Sequence, residues 1–327
     1  MVRFNLSVKK LKPIALTDEI IRICKIVSST GVKGYIVGGF IRDSLLGIKT
    51  LDLDLAIVGN TIEISSLLAQ KTNGKCITLD KERGIYRVIS GVNYSKIQID
   101  IAAAPMGIKK DLSNRDFTIN SMAIDISNFN KSPKNTIGFE ELLDPHNGIK
   151  SLEAGELITT SDNALSDDPI RLIRAIRVSA QLNLHIHSKL KTNISTQANL
   201  LSLVAGERIR TEFFNILKLS NSGEWLKTMN SLGLLAQIIP ELECTKGVGQ
   251  PKEHYWDVFD HLIESVIRIE EIFKYCFIPN NKYENNVNPL LDHIPIYPDV
   301  DIYFNTIAGD SQTRIITSKL ACLLHDI

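Results

Sequence analysis

The chain has 327 residues, enough for two or three domains with cores of their own. Its 44 % apolar and 23 % charged content is ordinary for a soluble globular protein. No run approaches the roughly 18 apolar residues of a membrane span, and the first twelve residues lack a signal-peptide core. The formal net charge is zero, but the charge is uneven. Between Arg171 and Lys227 nine Lys/Arg face three Glu, and from Glu241 to Asp310 thirteen Asp/Glu face five Lys/Arg. A basic middle followed by an acidic tail suits a polyanion lying across the middle, although such blocks are also ordinary solvated helix faces. The five cysteines are odd in number and form no Cys-x-x-Cys pair. They read as buried thiols of a reducing, cytoplasmic compartment, and neither a zinc site nor a disulfide framework is expected.

In chain order, the first 145 residues alternate helix and strand signals. Helix is expected over 18–29, strand over 35–37, a short helix, strand over 52–58, and helix over 62–71. Strand-like runs follow at 85–90 and 97–102, then a helix starting near Asn114 and a loop over 127–136. From about Ser151 the apolar spacing becomes helical, as in Leu172, Ala175, Ile176 and Ala180. Residues 279–309, rich in Asn, Pro and Asp, read as a long loop or insertion. An α/β head and an all-α remainder are expected.

The most informative stretch is 36–58. An apolar strand runs into Gly38-Gly39, a short helix carries Arg42 and Asp43, and a second strand carries Asp52 and Asp54. Residues two apart on a strand share a face, so these carboxylates project together, with Leu51, Leu53 and Leu55 turned to a core. Paired carboxylates repel unless a cation sits between them, and hard divalent ions prefer oxygen ligands. Paired glycines let a phosphate approach the backbone at a helix start. A phosphate cradle ahead of a metal-binding strand suits a nucleoside triphosphate with Mg²⁺. Asp100, on the run 98–102, is a candidate third acid, as metal ligand or as an aid to deprotonating an attacking hydroxyl.

Gly38-Gly39-x-x-Arg42-Asp43 followed by Asp52-x-Asp54 resembles the signature of class II tRNA nucleotidyltransferases and bacterial poly(A) polymerases. Asn114-Arg115-Asp116-Phe117-Thr118-Ile119-Asn120-Ser121-Met122-Ala123 resembles that family's second motif, with Asn114 where a second Arg is common. The resemblance implies that Arg115, Asp116 and Asn120 contact the sugar and phosphates of the nucleotide. Asp144-Pro145-His146-Asn147-Gly148 resembles the hinge from head to neck, with His146 expected as an exposed turn residue.

Asp167-Asp168-Pro169-Ile170-Arg171 resembles the family's Glu-Asp-x-x-Arg nucleotide-selecting motif, with Asp167 in place of Glu. Asp167 can cap a helix, and Asp168 and Arg171 can form an intrahelical ion pair. The same pair can read a base edge. A carboxylate accepts from an exocyclic amine while a guanidinium donates to the adjacent acceptor, a pattern that cytosine and adenine present and uracil and guanine reverse. Residues 207–212 resemble the next, helix-stabilising motif. His254 and His261, with His325-Asp326 at the end, resemble the start of an HD domain whose last metal ligand is missing, and the chain is expected to be a fragment.

What the resemblance implies is a nucleotidyltransferase head (1–145) with a mixed sheet and flanking helices, a helical RNA- and base-binding neck and body (146–235), and a partial helical HD-like domain (236–327). The implied activity is addition of C and A from CTP and ATP to the tRNA 3′ end, by phoshoryl transfer with two Mg²⁺ ions and no nucleic-acid template. Asp52 and Asp54 would hold the metals, with Asp100 beside them as a third catalytic acid. Gly38, Gly39, Arg42, Asp43, Arg115, Asp116, Asn120, Asp168, Arg171 and Arg174 would bind nucleotide. Arg177, Arg208 and Arg210 would meet the tRNA acceptor stem. A poly(A) polymerase, a CC- or A-adding relative, or an HD-type phosphohydrolase are the alternatives.

Overall fold

Leu53, Leu55 and Ile57 alternate with Asp52, Asp54 and Ala56, which suits a strand with one fully apolar face and one that carries acids. The computed structural model, which describes residues 10–91, 97–127, 129, 135–249, 255–277, 293–295 and 297–327, contains that strand. Leu53, Leu55 and Ile57 are almost wholly buried, and each contributes roughly 1.5–3 kcal/mol through that burial. Leu51, expected in the same core, is exposed, because it precedes the strand.

Two compact units lie within residues 5–164 and 165–327. Among the described residues the first holds ten short strands: β1 (Ile14–Ala15), β2 (Lys33–Val37), β3 (Asp52–Val58), β4 (Lys75–Asp80), β5 (Ile85–Ile89), β6 (Gln98–Ala103), β7 (Ala123–Asp125), β8 (Thr136–Ile137), β9 (Leu142–Leu143) and β10 (Glu156–Leu157). Seven form one mixed sheet in the order β4-β5-β6-β3-β2-β7-β9, while β1 pairs with β8. Within that sheet β3 and β6 run parallel and the other neighbours antiparallel. The helix Asp18–Ser28 starts where Thr17 Oγ1 accepts from the Ile20 N–H, and it buries Ile20, Ile21, Ile23, Cys24 and Val27. Asn60 caps the helix Thr61–Lys71 in the same way.

Two expectations are corrected here. No helix starts near Asn114: the helix Ile108–Ser113 ends there, and Thr118–Asn120 is a single 3-10 turn. Asp116 is the reason, since its carboxylate accepts from the Phe117 N–H at 2.8 Å and holds that residue extended. The sequence leaves 75–80 unassigned; β4 lies there at the edge of the sheet, with Ile77 and Leu79 exposed. Of the five free cysteines Cys24 alone is buried, and burial pushes its thiol up to about 12. Cys76 and Cys244 are exposed.

The second unit is helical: Arg171–Leu182, Ser188–Gln197, Gly206–Leu217, Ser222–Ser231, Leu234–Ile238, Val258–Cys276, Val300–Asn305 and Arg314–Leu324. The helix Arg171–Leu182 buries Leu172, Ile173, Ala175, Ile176, Val178 and Leu182, the stripe its spacing predicts. Gly223 lets the helix Ser222–Ser231 press on Val258–Cys276, since a Cβ there would come within 2.4 Å of the Ile267 side chain. Of the expected insertion at 279–309, residues 279–292 and 296 lie outside the described residues, and the remainder includes a helix, Val300–Asn305, and a strand, Ile307–Gly309. No helix among the described residues is long and apolar enough to cross a membrane.

Candidate active site

Sheet register brings the acids together. Asp54 on β3 stands opposite Asp100 on β6, and Asp100 stands opposite Arg87 on β5. Directly opposed residues share a face, so Arg87, Asp100 and Asp54 form a row, and Asp52 joins the same face from two residues earlier. Val37 on β2 continues the row and packs with Ala56, Ala123, Ile108 and Leu112, which makes the floor beside the acids apolar. Burial pushes the Asp54 carboxyl above the usual carboxylate pKa range. Arg115 opposes the rise, Asp100 adds to it, an N–H from Gly39 opposes it, and Asp52 adds a little more.

Gly38 opens the helix Gly39–Leu45 with φ of 73°. A Cβ at this position would lie 2.8 Å from Asp54 Oδ2 and 2.9 Å from an Arg115 guanidinium nitrogen, so both the dihedral and the space require glycine. Gly39 turns its N–H to the Asp54 carboxylate. The paired glycines thus bring the helix start onto the acid.

The second motif folds back onto the first. Arg42 forms a two-pronged ion pair with Asp43, at 2.8 and 3.0 Å, and donates to Asn120 Oδ1 at 2.7 Å. Asn120 Nδ2 in turn donates to Asp116 Oδ1 at 3.0 Å. Arg115 donates to Asp111 at 3.0 Å and to the Asn120 carbonyl at 3.3 Å, and Thr160 donates to the Arg115 carbonyl. Every side chain in this chain of contacts is oriented by another, which fixes Arg42 and Arg115 in place. The hinge segment is ordered by Asp144, which accepts from the N–H groups of Gly148 and Ile149 at 2.6 and 3.0 Å. His146 is half-buried against Ser113 Oγ at 3.3 Å, in place of the exposed turn position expected for it.

Two residues of the site were missed in the sequence. Arg87 clamps Asp100 with two 2.7 Å hydrogen bonds. No local pattern marks it, because its role depends on the pairing of β5 with β6. Asp111 lies four residues before Arg115, a spacing that was available to be read.

In the helical unit the Asp168–Arg171 segment differs from expectation. The helix starts at Arg171, with Ile170 at its N-terminal boundary and no side-chain cap, so Asp167 does not cap it. Asp168 sits in the turn before, where its carbonyl accepts from the Arg171 N–H at 3.0 Å, and its carboxylate pairs with Arg208 at 2.9 Å. Arg174 and Arg177 both donate through Nε to the buried carboxylate of Glu212, which ties the helix Arg171–Leu182 to Gly206–Leu217. Arg210 pairs with Asp310 at 2.9 Å. Arg208 and Arg210 are half-exposed, and such surface pairs contribute about 0–1 kcal/mol, so they can exchange partners cheaply.

His261, in the helix Val258–Cys276, and His325 and Asp326 bring one possible ligand atom each within 4.8 Å of one another. The two imidazole Nε2 atoms lie 3.2 Å apart. His254 lies outside the described residues.

Comparisons with known proteins agree with this geometry. Residues 34–158 match the family model described as Poly A polymerase head domain, and residues 183–245 match that of the probable RNA and SrmB-binding site of polymerase A. A CC-adding tRNA nucleotidyltransferase from Geobacter sulfurreducens is 32% identical over 217 residues, covering 66% of this chain and 47% of the relative. An A-adding tRNA nucleotidyltransferase from Deinococcus radiodurans is 30% identical over 236 residues, covering 71% of this chain and 50% of the relative. The chain thus spans about half the length of the curated relatives it matches. Among solved structures, the Thermotoga maritima CCA-adding enzyme complexed with tRNA superposes with a TM-score of 0.64 at 27% identity, covering 80% of this chain and 60% of that one. Through its head and its RNA-binding segment, the chain belongs to the poly(A) polymerase and tRNA nucleotidyltransferase family.

Proposed function

We propose that this chain is a tRNA nucleotidyltransferase that adds C and A from CTP and ATP to the tRNA 3′ end without a nucleic-acid template. The observation that carries the reading is the row Asp54–Asp100 with Asp52 beside it, set against a glycine helix start inside the segment that matches the head-domain family. The chemistry is assigned to residues 1–145, base and tRNA contacts to 146–235, and the HD-like part to 236–327. The site of action is the cytoplasm, where tRNA and nucleoside triphosphates meet.

The donor set fits Mg²⁺. It is all oxygen, and Asp52, Asp54 and Asp100 lie on one sheet face, a set of neighbouring carboxylates of the kind a hard cation bridges. Asp52 and Asp54 would hold the ions, which supply charge neutralisation for the triphosphate and acidity for the primer hydroxyl. Asp100 completes the acidic face. Gly38 and Gly39 keep the helix start clear for the nucleotide, and Arg42, oriented by Asp43 and Asn120, binds phosphate oxygens with Arg115. Asp116 and Asn120 present acceptors and donors to the sugar. Asp168 and Arg171 select the base. Arg174 and Arg177 support that segment through Glu212, and with Arg208 and Arg210 they face the acceptor-stem phosphates.

Incubation of the chain with tRNA lacking CCA, tRNA ending in C and tRNA ending in CC, each with labelled CTP or ATP, tests the activity. The near-equal identities to CC-adding and A-adding relatives make this assay decisive for which nucleotides are added. Absence of incorporation on all three substrates would overturn the reading. A metal-dependent phosphohydrolase is the second reading, favoured by the His261, His325 and Asp326 cluster. Phosphoester cleavage without incorporation would support it instead.

Base selection has its own test. Arg171→Ala removes the donor to the ring acceptor but leaves the Asp168 carboxylate. One two-pronged contact carries roughly 1–3 kcal/mol of discrimination, so preference for CTP and ATP over UTP and GTP is expected to fall about ten- to a hundredfold. A variant that melts early yet still excludes UTP and GTP would reduce Arg171 to a structural role.

A further inference from the structure

We propose that Arg87 is a positioning residue that withholds Asp100 from the metal ligands, leaving Asp52 and Asp54 to hold the cations; the inference rests on the metal-site reading above. Three carboxylates share one sheet face, and a divalent ion could in principle recruit all three. Both oxygens of Asp100, however, already accept from Arg87, through Nε and a terminal nitrogen, each at 2.7 Å. Two parallel charge-assisted hydrogen bonds in this fork geometry are about twice as strong as neutral ones. The clamp is built into the sheet, because Arg87 and Asp100 are directly opposed on β5 and β6. Arg115, a second guanidinium acting on Asp54, is held by Asp111 and the Asn120 carbonyl.

The charge balance gives the clamp a purpose. Arg87 feels Asp100, Asp52 and Asp54, and all three hold its guanidinium in the charged form. As a fixed cation it offsets one of three negative charges and stays protonated at any working pH. The cluster left for metal is therefore a two-carboxylate site. A merely structural cross-strand pair would stabilise the sheet slightly and have no effect on metal affinity.

Binding of Mn²⁺ to the substrate-free full chain, followed by electron paramagnetic resonance, tests this. The signal lost in Asp54→Ala defines the site. Arg87→Gln frees Asp100 and is expected to tighten binding at that site about tenfold, the scale expected from one unmasked charge nearby. The double variant Arg87→Gln with Asp100→Asn restores the wild-type charge balance and is expected to bind within about twofold of wild type. Unchanged or weaker binding by Arg87→Gln, or a large loss in the double variant, would overturn the proposal. Should Arg87→Gln fail to fold, Arg87→Lys, which keeps the charge but not the fork, and the double variant carry the test: intermediate tightening supports it and unchanged affinity overturns it. A wild-type chain with no Asp54-dependent Mn²⁺ would overturn the metal-site reading itself, an outcome distinct from an unresponsive Arg87→Gln.

Discussion

Asp54→Asn is expected to abolish nucleotide incorporation and, at neutral pH, to raise the melting temperature. The loss of activity should exceed the 10–100-fold (roughly) that follows when only a group supporting a metal ligand is changed. Asp52→Ala should behave alike in activity. The stability gain follows from the direction of the Asp54 shift. Its folded-state pKa is raised, chiefly by burial and with Asp100 and Asp52 adding to it, so the fold disfavours the ionised form. That cost is absent below the ordinary carboxylate value near 3.9, where the group is protonated folded or unfolded, and it grows as pH rises through the folded value. Asparagine removes the charge but can still accept from the Gly39 N–H. Melting curves at pH 7 and at the acid limit, beside incorporation at saturating Mg²⁺, check both halves. Near-normal incorporation would remove Asp54 from the catalytic centre. A lower melting temperature at pH 7 would mean that its pairing with Arg115 outweighs its burial.

Lys319→Met is expected to cost the fold about 3–5 kcal/mol, the range seen when one member of a buried ion pair is removed. Lys319 and Glu270 are 3% and 5% exposed and meet at 2.7 Å. Lys319 also donates to the carbonyls of Leu217 and Leu219, while Glu270 accepts from the N–H and hydroxyl of Ser222 at 2.7 and 2.6 Å. The pair therefore joins the end of Gly206–Leu217, the start of Ser222–Ser231, Val258–Cys276 and Arg314–Leu324 at one point. Burial pulls the Lys319 ammonium down from its ordinary value, Glu270 opposes this, and Lys274 adds to it. Methionine keeps the volume and strands the Glu270 charge. The double variant Lys319→Met with Glu270→Gln neutralises that charge while Gln still accepts from Ser222, so it should recover part of the loss. Urea denaturation of the three chains measures the coupling. A single variant within 1 kcal/mol of wild type would show that water reaches the pair (about the size of an exposed contact).

The sequence alone determined those parts of the site that rest on neighbours along the chain. Asp52 and Asp54 share a face because two residues is the strand repeat, and the strand occupies 52–58 as read. Gly38 was legible as a backbone position, and the structure adds the contact with Asp54 that explains it. The α/β head and helical remainder were likewise legible from a change of apolar period. What the tertiary structure decided were partnerships. Asp100 meets Asp54 and Arg87 only through the register of β6 with β3 and β5, which no local pattern encodes. The basic block after Arg171 suited either a polyanion surface or a solvated helix face, and packing of two helices adds a partner that neither reading contains, Glu212 against Arg174 and Arg177. Asp168 and Arg171 looked like each other's partners at helical spacing, yet the helix begins one turn later and Asp168 turns to Arg208. Charges select partners by distance in space, where the interaction of two unit charges falls as the inverse of their separation, and only the packed helices and the paired strands set those distances.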